Sequence, residues 1–273
     1  MRTFLIVLLI LIIVLSVAIG LIGWKMKNLV SPELVDKVMT IYRENSTVEA
    51  QTITSVQQLA MVTSISSTIK GKDPITVTPA TLNGENITLI TLGGTQNREG
   101  QATTMNESKL ASQGKSNDYL VAVLKLFENG TVPKDKPILV AGISLGGMIA
   151  QQLLGEKIVT DNYEIKAIIT FGSPLTMPFE RNGVKVVRFV DKHDMVPKLG
   201  EMNLKPKATK KELNNKEVIL KTSKYKDAVE THALSYIEDD CWNETDFLGD
   251  KAKKNVLVTL SELQFYPAPI ITK

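Results

Sequence analysis

The run from Pro137 to Met148, PILVAGISLGGM, constrains this chain more than any other stretch. An apolar segment of strand character leads straight into Gly-Ile-Ser-Leu-Gly-Gly, and an apolar helix start follows at once. A strand that turns into a helix within so few residues needs glycine on either side of the turn, where a Cβ would collide with neighbouring backbone. Gly142 and Gly146 occupy those positions around Ser144. The free N–H groups of the helix start point at the same spot and favour negative charge there. The pattern is that of a nucleophile elbow, with Ser144 at its tip.

The rest of the chain alternates between strand and helix patterns. Ile75–Thr78 and Ile87–Leu92 read as strands joined by an Asn83-Gly84 hairpin turn. Ala167–Phe171, Val184–Val190, Glu217–Lys221 and Val256–Leu260 read as further strands, and Asn117–Phe127 and Met148–Leu154 as helices. Two earlier helices are expected, one from Ser31-Pro32-Glu33 and one from about Thr47 to Ile69, neither with evident chemistry. Between Gln96 and Gly114 the only sizeable apolar residues are Met105 and Leu110, which predicts a long surface loop. Such alternation argues for an α/β class with a mostly parallel sheet flanked by helices. Functional groups in such sheets gather at the carboxyl ends of strands. Gly93–Thr95, Ser144, Ser173 and Asp194 all fall just after an expected strand.

Phe4 to Trp24 carries no charge. About 20 helical residues span the roughly 30 Å hydrocarbon core of a bilayer. Trp24, followed by Lys25 and Lys27, sits where an interfacial anchor belongs. The expected organisation is a transmembrane anchor over residues 1–27, or an uncleaved signal, then one domain over residues 28–273. The membrane contact would run through residues 4–24 of a single-pass protein. Arg2 on one flank and Lys25 and Lys27 on the other give the positive-inside rule no direction. Sequons at Asn45, Asn86, Asn106, Asn129 and Asn243 favour an extracytoplasmic domain, with Asn86 the poorest acceptor because it enters a strand. A net charge of +3 is too small to argue for a nucleic-acid partner. The single cysteine, Cys241, excludes an intrachain disulfide and a cysteine-type zinc site.

A serine hydroxyl attacks only when a base takes its proton, and the base needs an acid to hold its tautomer. The chain contains two histidines, His193 and His232. In α/β-hydrolases the order along the chain is serine, acid, histidine. Only His232 leaves room for an acid that follows a strand after Ser144; Asp194 is the better placed and Asp191 the alternate. His193, beside Asp194, reads as an exposed loop residue. An oxyanion hole requires two converging N–H donors. The backbone of Leu145, next after Ser144, is one, and that of Thr95, in the loop after an earlier strand, is placed for the other.

Taken in order, five segments resemble the class 3 lipases of the α/β-hydrolase superfamily. They are Leu92-Gly93-Gly94-Thr95, Gly142 to Gly147, Thr170-Phe171-Gly172-Ser173-Pro174, Asp194-Met195-Val196-Pro197-Lys198-Leu199, and His232-Ala233-Leu234-Ser235-Tyr236. The resemblance covers roughly residues 87 to 237. It implies a triad of Ser144, Asp194 and His232, an oxyanion hole at Thr95 and Leu145, and hydrolysis of a lipid or small acyl ester with neither metal nor cofactor. The chain departs from the family at three places. Ile143 stands where histidine is usual and Gly93 where arginine is usual, and the stretch after Thr95, where an amphipathic lid is common, is polar. The first two departures motivate the alternative of a catalytically idle, hydrolase-fold binding protein. Acyl transfer to an alcohol would use the same triad.

Overall fold

A computed structural model of the protein describes residues 36–37, 39–40, 52–68, 72–96, 98–176, 184–201, 215–219, 224–242, 246–247 and 258–271. The expected transmembrane segment, residues 4–24, lies outside these. Of the helix expected from Ser31, the described residues 36, 37, 39 and 40 are helical. No described helix is long and apolar enough to cross a membrane.

A nine-stranded sheet organises the described residues. Its central strands are β3 (Glu85–Leu92), β4 (Ile138–Ile143), β5 (Ile165–Phe171), β6 (Lys185–Val190) and β7 (Asn215–Ile219), hydrogen-bonded in that order and all parallel. The sheet as a whole is mixed, because β1 (Thr52–Ile53), β2 (Ile75–Leu82), β8 (Val258–Leu260) and β9 (Phe265–Tyr266) pair antiparallel on the other side of β3. Asn83 and Gly84 join β2 to β3 with φ of 51° and 83°. Two consecutive positive φ values match the right-handed twist of a hairpin, which is why Asn-Gly belongs there.

Helices cover both faces, so the central strands read as continuous apolar runs rather than alternating ones. β4 is buried at every position. Leu139, Ala141 and Ile143 face one core with α1 (Val56–Thr68), while Ile138 and Val140 face the other with α3 (Asp118–Glu128) and α4 (Leu145–Gln152). The fold is of the α/β-hydrolase type.

Two expected elements are redrawn. The segment from Thr47 to Ile69 is not one helix: β1 occupies Thr52–Ile53 and α1 starts only at Val56. Ser55 and Gln58 form a reciprocal cap. Ser55 Oγ accepts from the Gln58 amide at 3.1 Å, and Gln58 Oε1 accepts from the Ser55 amide at 3.3 Å. The fixed start leaves Ile53 to pair with Val258. The stretch from Gln96 to Gly114 is not a loop throughout, because it contains α2 (Met105–Ser112). Thr104 caps α2 by accepting from the Glu107 amide. The buried Glu107 side chain accepts from the Asp118 amide at 2.7 Å, so a polar helix is docked by hydrogen bonds instead of by an apolar stripe.

Candidate active site

Four strand ends converge on the site. β3 ends at Leu92 before Gly93–Thr95, β4 at Ile143 before Ser144, β5 at Phe171 before Gly172-Ser173, and β6 at Val190 before Asp191–Asp194. His232 is carried by α5 (Ala228–Leu234), beyond β7.

Ser144 has φ 52° and ψ −118°. This conformation is rare for a residue with a side chain and costs on the order of 1–3 kcal/mol. It persists because the turn is fixed on all sides. A Cβ on Gly142 would lie 2.5 Å from the Gly146 carbonyl oxygen, and one on Gly146 would strike the Leu92 carbonyl. A Cβ on Gly147 would lie 2.6 Å from Ser173 Cβ. The three glycines let the elbow, the end of β3 and the β5 loop approach at backbone distance.

His232 Nε2 lies 2.9 Å from Ser144 Oγ, and Nδ1 lies 2.8 Å from Asp194 Oδ2. A carboxylate only accepts, so Nδ1 carries the proton and Nε2 is left to accept from the serine hydroxyl. Asp194 is fully buried. Its Oδ1 accepts from the Val196 amide at 2.9 Å, and its Oδ2 also accepts from the Tyr236 hydroxyl at 2.8 Å. The Tyr236 hydroxyl in turn accepts from the Asp191 amide at 3.0 Å. Burial, with the Asp194 charge beside it, pushes the Tyr236 hydroxyl well above the usual tyrosine range, so it remains a donor. Gly172, at φ 55°, makes room: a Cβ there would meet the Tyr236 ring at 2.6 Å.

Of the two candidate acids, Asp194 is the one in contact with His232. Asp191 Oδ1 instead accepts from the His193 amide at 2.8 Å. The His193 side chain is exposed, at 46% of its full accessibility, and stays on the loop as expected.

Leu145 is the first residue of α4, where an amide has no partner within the helix. Thr95 Oγ1 pairs with Ser108 Oγ at 2.8 Å, which fixes the side chain and leaves the backbone for other use. Gly94 packs against the serine, since a Cβ on it would lie 3.3 Å from Ser144 Cβ. Among the described residues, neither the Thr95 nor the Leu145 amide has an acceptor.

Two of the departures find local explanations. Ile143 is buried in the core beside α1, where a histidine would need a polar partner. At position 93 a Cβ would press on the Ser66 hydroxyl and lie 2.9 Å from Ser67 Oγ, so a side chain there would have to turn both serines aside. Reading the sequence for chemistry missed Tyr236, four residues past His232, as well as Ser66 and Ser67. The serines carry no motif; the tyrosine closes the His232–Tyr236 segment, where the sequence assigns it no role.

One family model, described as PGAP1-like alpha/beta domain, matches residues 94–255. That is more than half of the chain, and the chain belongs to this family. The match supports the α/β-hydrolase superfamily and not the class 3 lipases specifically. No curated protein and no solved structure matches the chain.

Proposed function

We propose that this member of the PGAP1-like alpha/beta domain family is a serine ester hydrolase acting on acyl lipids or small acyl esters. The single observation that carries the reading is the hydrogen-bonded chain from Ser144 Oγ through His232 to Asp194, at 2.9 and 2.8 Å. In this reading His232 takes the Ser144 proton as Oγ attacks the ester carbonyl. The leaving alkoxide then receives that proton, and an acyl-enzyme on Ser144 remains. Water, deprotonated by the same imidazole, releases the acid and restores the hydroxyl. Asp194 keeps the imidazole in its reactive tautomer and stabilises the imidazolium that forms. The amides of Thr95 and Leu145 receive the negative charge on the tetrahedral carbonyl oxygen. No step calls for a metal or a cofactor.

Residues 4–24 anchor the enzyme in a bilayer, with the catalytic domain on the extracytoplasmic side. The exposed sequon asparagines Asn106 and Asn129 support that side. The test is turnover of p-nitrophenyl esters of graded chain length. Hydrolysis is expected in the wild type and lost in Ser144→Ala; turnover that survives the substitution removes the proposal.

A further inference from the structure

Resting on the hydrolase reading, we infer that Ser67 is a positioning residue: its hydroxyl, on a helix N-terminal to the matched family residues, sets the oxyanion loop so that the Thr95 amide faces the nucleophile. The loop begins Gly93-Gly94, two residues whose backbone has little intrinsic preference. A peptide plane between such residues turns over at small cost, and a turned plane would present a carbonyl where a donor is needed. The loop is held in one state from α1. Ser67 Oγ accepts from the Gly94 amide at 2.5 Å, and the Gln96 side-chain amide donates to the Ser66 carbonyl. The Gly93 amide donates to the Pro74 carbonyl at 2.8 Å, and Tyr119 OH shares its proton between the Pro74 carbonyl at 3.0 Å and the Gly93 carbonyl at 3.2 Å.

With the Gly93 and Gly94 amides both engaged away from Ser144, the next amide along, that of Thr95, is the first one free to serve. The approach is close: a Cβ at position 93 would press on the Ser66 and Ser67 hydroxyls. At Gly93, where class 3 lipases usually carry an arginine, a pair of helix serines lies against the loop. The other end of α1 is tied to the histidine side of the site: Gln57 Nε2 donates to the Ile237 carbonyl at 2.5 Å, three residues past the end of α5. One helix therefore touches both the donor loop and the segment that carries the base.

The experiment uses the full-length chain and an isosteric pair. Ser67→Thr keeps the acceptor; Ser67→Val has the same shape without it. On p-nitrophenyl butyrate, Ser67→Val is expected to lower kcat about 10- to 100-fold, as for a misplaced catalytic group. KM should stay within about twofold and the pH profile should not move, because the donor acts on the transition state and not on the bound ester. Ser67→Thr should retain most of the activity, and Ser67→Ala, which adds no bulk, should match Ser67→Val. Equal kcat in Ser67→Thr and Ser67→Val, alongside an inactive Ser144→Ala, overturns the inference and leaves the hydrolase reading standing. Turnover that survives Ser144→Ala overturns both.

Discussion

Replacing Ser144 with glycine should make the protein more stable than replacing it with alanine, although both variants lose the hydroxyl. The reason is the backbone at φ 52°, ψ −118°, which alanine must still adopt. A side chain held in such a region costs about 1–3 kcal/mol. Glycine removes that cost but has a more mobile unfolded chain, an offset of about 0.5–1 kcal/mol. The hydrogen bond to His232 is absent from both variants and cancels in the comparison. The difference is therefore up to about 2.5 kcal/mol in favour of Ser144→Gly, or up to about 10 °C in Tm for a domain of this size. Urea unfolding and thermal melting of the two variants, side by side, measure it. Ser144→Gly less stable than Ser144→Ala would refute the claim that the elbow stores strain at Ser144.

Gly146→Ala should lose activity and at least about 1–3 kcal/mol of stability, because the added methyl meets the Leu92 and Gly93 backbone, which cannot swing aside; urea unfolding and ester turnover read both effects. Asp194→Asn should fold but lose about 10⁴-fold in kcat, measured on the same esters. The carboxylate accepts from the Val196 amide, His232 and Tyr236, and an amide side chain offers only one oxygen for those donors.

The central features of the fold were legible because they are local in sequence. The elbow needs two glycines at fixed spacing, the hairpin needs Asn83-Gly84, and the parallel strands announce themselves as apolar runs. The order Ser144, Asp194, His232 was legible because two histidines leave few choices. What escaped was held by hydrogen bonds rather than apolar periodicity. α2 has a polar composition, and its start was marked only by Thr104 three residues before Glu107, a pattern whose helix depends on a buried contact with Asp118. β1 is two residues long, too short for any period, and exists because Ile53 meets Val258 across some two hundred residues of chain. Ser66, Ser67 and Tyr236 act through distance in space, which no spacing along the chain records. The sequence already favoured Asp194 over Asp191, and the β6 loop turns the Asp194 carboxylate toward His232.

The most direct test of the account is covalent labelling with a fluorophosphonate probe, followed by mass-spectrometric mapping of the modified residue. The account predicts label on Ser144, none on Ser144→Ala, and slowed labelling in His232→Ala, where the serine hydroxyl has lost the base 2.9 Å away. An intact, folded protein that takes no label, or takes it at a residue other than Ser144, would contradict it.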